Sequence, residues 1–107
     1  MSLDVSLISS TQTGVFTKNI THNLNKMAAA AGIYELLWRP DETNIKTANQ
    51  LIAPLTLGLK LLKDNPKLFE AFNPKNGWGN YDGLVSFVEE YLTACKEDPD
   101  ATIMISR

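Results

Sequence analysis

The chain has 107 residues, of which 44% are hydrophobic and 21% are charged, and this composition is typical of one globular domain over residues 1–107. The composition excludes a disordered tail and a collagen-like fibre, and a single cysteine excludes a disulfide-stapled miniprotein. Ten Lys and Arg residues against twelve Asp and Glu residues leave a net charge of −2, which disfavours nucleic acid as a partner.

Targeting and redox features are weak in this sequence. It contains no run of 18 apolar residues, the minimum for a membrane-spanning helix. Residues 1–4 lack the basic and apolar segments of a secretory signal. Cys95 has no second cysteine with which to form a disulfide, which favours a reducing compartment. We therefore expect a cytoplasmic protein without a membrane segment.

Both ends of the chain have the pattern of β-strands. Apolar and polar residues alternate over residues 3–7, residues 9–14 are typical of a turn, and a second strand fits residues 15–20. Residues 102–106 are again strand-like after a Pro-Asp pair. The sequence predicts an N-terminal hairpin that a C-terminal strand can extend to three strands.

The centre of the chain is predicted to be helical. Thr21 is a candidate N-cap for a helix that ends at Gly32, and a short turn of helix follows over residues 33–38. Asn65 and Pro66 favour the start of another short helix. Asn80 is a candidate N-cap for a helix over residues 81–97, whose apolar face includes Cys95 as a buried residue.

The helix predicted over residues 47–64 is apolar on two sides. A capping box between Thr47 and Gln50 favours its start, and Pro54 predicts a kink or a restart within it. Leu57 and Leu61 point away from the main apolar stripe. This helix is therefore either sandwiched inside the domain or covered by a second subunit, for which Leu57 and Leu61 are the candidate dimer face.

These elements predict an α+β fold. A small antiparallel sheet of two or three strands is expected to be packed by four or five helices. No internal repeat and no linker is visible, which agrees with one domain.

Few residues have the pattern of an active site. His22 is the only histidine and lies between Asn19 and Asn23, so these three residues are candidates for a ligand cleft with a possible general base. The alternative to a functional role is that His22 is an ordinary surface residue or a helix-capping residue. One histidine and one cysteine make a metal site unlikely, and no cofactor or catalytic motif is found.

Aromatic residues mark two candidate binding patches. The first consists of Trp78, Asn80 and Tyr81 in a loop rich in Gly and Asn, which suits binding of peptide, sugar or protein. The second consists of Tyr34, Trp38 and Arg39, a combination of aromatic residues and arginine that is favoured at interfaces. Either tryptophan could instead fold into the core.

Three segments also resemble a known group of proteins. The first is Leu3-Asp4-Val5-Ser6-Leu7 followed, after a turn, by Asn19-Ile20-Thr21-His22-Asn23-Leu24. The second is the run Asn73-Pro74-Lys75-Asn76-Gly77-Trp78-Gly79-Asn80-Tyr81-Asp82-Gly83-Leu84, and the third is the helix-to-strand ending over residues 94–101. Together they resemble a family of small bacterial and phage or prophage proteins of unknown function. The resemblance implies an origin and a fold unit but no activity.

We therefore predict a protein-interaction module associated with a phage or prophage, acting on a protein partner or on a second copy of itself. The alternative is a small ligand-binding protein or enzyme with a cleft near His22. The absence of a catalytic motif favours the first.

Overall fold

The computed structural model describes residues 2–9 and 15–107, so all of the predicted turn except Ser9 lies outside the described residues. The strands are β1 (Ser2–Ile8), β2 (Val15–Thr21) and β3 (Thr102–Ser106), and the helices are α1 (Asn25–Ala30), α2 (Tyr34–Trp38), α3 (Asn49–Asp64), α4 (Pro66–Glu70) and α5 (Tyr81–Glu97). This architecture confirms the predicted α+β class.

The three strands form one antiparallel sheet in the order β2-β1-β3. β1 is central, and its alternate residues Leu3, Val5 and Leu7 are buried, because successive side chains in a strand point to opposite faces. The other face is more polar, and the hydroxyls of Ser6 and Thr17 lie 3.3 Å apart across β1 and β2. The C-terminal strand thus completes the sheet, as the sequence predicts.

Helix α5 connects the sheet to α3. The ring of Tyr91 on α5 stacks on that of Phe16 on β2 with centroids 6.0 Å apart. On another side of α5, the hydroxyl of Tyr81 donates a hydrogen bond to the carbonyl oxygen of Leu62 on α3 at 2.6 Å. The buried residues of these elements belong to one core cluster, so the helical part and the sheet fold around a single hydrophobic core.

The outer side of α3 corrects one expectation from the sequence. Leu57 is 71% exposed and Leu61 is 42% exposed, so the helix is not sandwiched inside the domain. The helix also continues through Pro54, so the alternative of a restart at this proline is wrong. Leu51 and Leu55, on either side of the proline, are both buried.

The predicted caps are partly confirmed. The side chain of Gln50 accepts a hydrogen bond from the amide of Thr47 at 3.1 Å, as the capping box requires, although α3 begins at Asn49. The side chain of Asn80 accepts from the amide of Gly83 at 2.7 Å and caps α5. Asn65 differs, because its amide group donates to the carbonyl oxygen of Leu61 instead of capping α4.

Close contact between α3 and the start of α2 depends on Gly58. A Cβ atom at this position would overlap the Cγ2 methyl of the buried Ile33. Glycine therefore allows the two segments to approach more closely than any other residue would. In the part of the chain that the structure describes, no helix has the length and apolar character needed to cross a membrane.

Candidate functional site

Trp78 lies in the loop that precedes α5 and is 70% exposed. The glycines on both sides have positive φ angles, 78° at Gly77 and 91° at Gly79, which side chains rarely tolerate. The amide of Trp78 donates to the side-chain oxygen of Asn76 at 3.0 Å. The loop therefore presents the indole to solvent from a backbone that glycine makes possible.

Gly79 also holds this loop against the junction between β2 and α1. A Cβ atom at Gly79 would lie 2.6 Å from the Cγ2 of Thr21 and 3.0 Å from the Cγ of Leu24. Both distances are shorter than a normal contact between carbon atoms. The missing side chain thus lets the loop pack directly on the junction, which places Trp78 beside it.

The junction itself is a short 3₁₀ turn over His22–Leu24. The hydroxyl oxygen of Thr21 accepts a hydrogen bond from the amide of Asn23 at 3.3 Å, and Leu24 is buried. Leu24 fixes one side of the turn in the core, while Asn23 on the other side is exposed. The turn therefore displays polar side chains next to the tryptophan.

A cleft of about 570 Å³ opens between the loop and the junction, and we call it the Trp78 cleft. Its lining residues are Ser2, Asn19, Thr21, His22, Asn23 and Trp78. The structure thus brings together four residues that the sequence analysis placed in separate candidate patches. The volume lies within the range of ordinary ligand pockets.

A second cleft of about 520 Å³ adjoins the first, and we call it the Phe72 cleft. It is lined by His22, Asn23, Asn25, Lys26, Phe72, Asn73, Pro74 and Lys75. His22 and Asn23 belong to both clefts, so the two form one continuous surface. The sequence analysis missed Phe72, Lys26 and Lys75 as site residues. Phe72 lies in the turn two residues after α4 and is exposed, whereas Phe69 within that helix is buried.

His22 connects this surface to the core. Its ring meets the ring of Trp38 edge to face, with centroids 6.2 Å apart. Its Nε2 atom is buried and has no hydrogen-bond partner among the described residues. The described residues that line the two clefts include no Asp or Glu.

Asn80 and Tyr81 support the loop and do not line either cleft. Asn80 caps α5, and the amide of Tyr81 donates to the side-chain oxygen of Asn73 at 2.7 Å. The Tyr81 side chain is buried, and this burial raises the pKa of its hydroxyl. The sequence pattern identified the right loop, but tertiary contacts turn this tyrosine inward.

Trp38 and Arg39 form a separate arrangement. Trp38 is buried, and its ring stacks on Tyr34 with centroids 5.5 Å apart. The guanidinium of Arg39 donates to the Tyr34 hydroxyl at 3.1 Å and pairs with Glu42 at 2.7 Å. These partners raise the pKa of Arg39. Trp38 is therefore core, and Arg39 lies outside the two clefts.

The remaining candidates lie elsewhere. Leu57 and Leu61 occupy the outer side of α3. Cys95 is buried, and burial raises the pKa of its thiol to about 12, which keeps it protonated at neutral pH. Among the described residues, no group of His, Cys, Asp or Glu side chains is arranged to hold a metal ion.

Comparison with known proteins does not identify a relative. No protein-family model, curated protein or solved structure matches this chain significantly.

Proposed function

We propose that the protein is an interaction module that binds an extended segment of a partner protein along the Trp78 and Phe72 clefts. The observation that carries this proposal is the exposure of Trp78 beside a cleft lined by polar side chains. A tryptophan that is 70% exposed buries little apolar area within the fold, whereas tryptophan is enriched among residues that dominate binding energy. The loop packs on Thr21 and Leu24 at Gly79, and a binding residue whose backbone is already held in place costs less entropy to bind.

The shape of the surface favours a peptide as the ligand. Trp78 lines one cleft and Phe72 lines the adjoining one. The amide side chain of Asn23 lines both clefts, and that of Asn25 lines the Phe72 cleft. An amide group can both donate and accept hydrogen bonds, so it can pair with a peptide backbone. Two apolar side chains of the same extended peptide can then pack against Trp78 and Phe72.

Charge refines the expected ligand. Lys26 and Lys75 line the Phe72 cleft, both are exposed, and neither forms an ion pair with another described residue. A carboxylate on the bound segment would gain favourable interactions with these ammonium groups. The partner segment is therefore expected to carry two apolar side chains and an acidic residue.

Selection from a random peptide library tests this proposal. Peptides of about twelve residues, extended to span both clefts, are displayed on their encoding RNA and selected on the immobilised protein. We expect enriched peptides to lose affinity about tenfold or more on Trp78→Ala, as for a central binding residue. Leu68→Ala is the matched control, because Leu68 is also an exposed apolar residue but does not line either cleft.

Two outcomes would reject the proposal. Enriched peptides that bind wild-type protein and Trp78→Ala equally would show that the clefts are not the binding surface. Trp78-dependent binding of cellotriose or chitotriose, with no enriched peptide, would favour the alternative of a small-ligand cleft near His22. The phage or prophage association and the cytoplasmic location stay predictions from sequence.

Self-association through α3 is a second candidate function. Leu57 and Leu61 form an exposed apolar stripe, and the Lys60–Asp64 ion pair of 2.9 Å lies on the same outer part of the helix. A second copy related by a two-fold axis would bury both leucine pairs and could exchange these opposite charges. The stripe therefore offers both apolar area and opposite charges to a second copy.

Light scattering at millimolar protein concentration tests this second candidate. We expect a dimer for the wild-type chain and a monomer for Leu57→Glu/Leu61→Glu, because four carboxylates would then be buried. Asn49→Glu/Thr56→Glu is a control that adds the same charge at two exposed positions on another side of α3. A monomeric wild-type protein would exclude the dimer.

A further inference from the structure

A third concave surface lies at the opposite end of the β1–β2 hairpin, and we call it the acidic groove. Its volume is about 500 Å³, and its apolar residues include Leu7, Phe16 and Ala94. Four carboxylate side chains also line it: Glu89, Glu90, Glu97 and Asp98. Ser2 and Thr21, which line the Trp78 cleft, are paired at the other end of the same two strands. The two surfaces are therefore distinct.

The four carboxylates differ in their partners. Glu89 pairs with Lys63 at 2.7 Å and Glu90 pairs with Lys18 at 2.6 Å. Among the described residues, no cation lies within ion-pair distance of Glu97 or Asp98. The groove therefore holds two negative charges that the described fold leaves uncompensated.

The position of these two residues strengthens the negative field. Glu97 is the last residue of α5 and Asp98 is its C-cap. The carbonyl groups at a helix C-terminus carry a partial negative charge, so carboxylates there are unfavourable for the helix and cations are favourable. Lys96 in the last turn of α5 supplies one favourable charge to this helix end. Among the described residues it forms no ion pair with Glu97 or Asp98, so a positive charge from a partner would stabilise these two carboxylates further.

The apolar part of the groove adds a second requirement. Phe16 is half-buried and stacks on Tyr91, which fixes its ring beside the carboxylates. A guanidinium or an aliphatic side chain can pack on such a ring. A compact inorganic cation would leave this apolar surface exposed to water, whereas a mixed basic and apolar ligand would cover it.

The length of the groove indicates a chain and not a single side chain. The residues from Glu89 to Asp98 cover about 14 Å along α5 at 1.5 Å per residue. About four residues of extended peptide span the same distance. We infer that the acidic groove binds a basic segment of a partner protein, in which Lys or Arg residues adjoin an apolar residue.

A titration followed by nuclear magnetic resonance tests this inference. The probe is the peptide acetyl-Gly-Arg-Leu-Arg-Phe-Gly-amide, added to ¹⁵N-labelled protein at low salt. We expect saturable amide shifts in the second half of α5 and at Leu7. The same peptide with Glu in place of Arg is expected to cause no saturable shift, because it would bring like charges together.

Matched charge variants distinguish binding in the acidic groove from non-specific attraction between the basic peptide and the acidic protein. Glu97→Gln/Asp98→Asn should weaken binding about fivefold to tenfold, as expected for two partly exposed ion pairs. Glu70→Gln/Asp82→Asn removes the same charge from exposed positions outside the groove and should leave binding unchanged. Equal weakening in both double variants, or shifts that do not saturate, would overturn the inference.

One further variant keeps this inference independent of the proposed function. Trp78→Ala should not change binding of the basic probe, since Trp78 lies at the other end of the hairpin from the groove. Loss of probe binding in Trp78→Ala would place the basic segment in the Trp78 cleft and overturn the groove assignment.

Discussion

The two tryptophans of this protein have opposite environments. Trp38 is 2% exposed and packs between His22 and Tyr34, whereas Trp78 is 70% exposed in a loop between two glycines. The residue type is the same, so the difference arises from the contacts that each segment can form. The comparison shows that an aromatic residue in this chain is available to a partner only where the fold leaves it uncovered.

His22 connects the two environments. One side of the imidazole meets Trp38 in the core, and the residue also lines both clefts. The proposed binding surface thus adjoins the buried aromatic cluster. Changes in the core near Trp38 are expected to affect both stability and binding, while changes at Trp78 are expected to affect binding alone.

Replacing each tryptophan with alanine should give the largest difference in the free energy of unfolding between the two regions. Trp38→Ala is expected to lower the free energy of unfolding by about 3–5 kcal/mol, because it leaves a cavity in the core. Trp78→Ala is expected to change it by less than about 0.5 kcal/mol, as for an ordinary surface position. Urea unfolding followed by circular dichroism measures both, and comparable losses would contradict the assigned environments.

Gly58 tests how closely the Trp38 side of the molecule is packed. Gly58→Ala should destabilise the protein by about 1–2 kcal/mol, because overlap with Ile33 outweighs the better helix propensity of alanine. The double variant Gly58→Ala/Ile33→Ala removes the overlapping methyl. In a thermodynamic cycle, the cost of Gly58→Ala should disappear in the Ile33→Ala background. Additive costs would argue against this contact.

Gly79 and Gly77 provide a matched pair on the Trp78 side. Both have positive φ, but nothing lies within 4 Å of a Cβ built on Gly77, whereas Gly79 contacts Thr21 and Leu24. Gly77→Ala should cost about 1 kcal/mol from backbone strain alone, and Gly79→Ala should cost more. Amide shifts at His22 and Asn23 should accompany only Gly79→Ala. Equal losses of stability and equal amide shifts in both variants would show that the loop does not pack on Thr21 and Leu24 at Gly79.

The smallest expected effect is the pH-dependent stabilisation that the contact between Arg107 and Asp41 provides near Trp38. Arg107 donates to the Trp38 carbonyl oxygen and to a carboxylate oxygen of Asp41, both at 2.9 Å, and this contact lowers the pKa of Asp41. Asp41 therefore stabilises the fold above the ordinary pKa of an aspartate, and this stabilisation is lost as the pH falls through the lowered value.

Thermal unfolding over an acidic pH series measures this contribution. The wild-type curve should fall more steeply with decreasing pH than that of Arg107→Gln, since the variant lacks the hydrogen bond that lowers the pKa. Parallel curves for the two proteins would show that the Arg107–Asp41 contact is absent in solution.

Local signals predicted most of the secondary structure. Strand alternation, the cap at Asn80 and the glycine at position 32 act over neighbouring residues, so sequence alone can identify them. For the candidate site, the sequence predicts individual residues but not their arrangement. It indicates Asn19, His22, Asn23 and Trp78 as separate candidates. No local pattern indicates that Gly79 packs on Thr21, the contact that brings these four residues into one cleft.

The amino-acid sequence by itself determined the α+β class, the three strands and the apolar faces of the long helices, because periodicity and capping depend on residues close in the chain. Tertiary structure alone decided which aromatic residues are buried and which are exposed. Trp38 and Tyr81 are covered by segments distant in sequence, whereas Trp78, Leu57 and Leu61 are left uncovered. Exposure depends on where other elements pack, and that is a property of the whole fold.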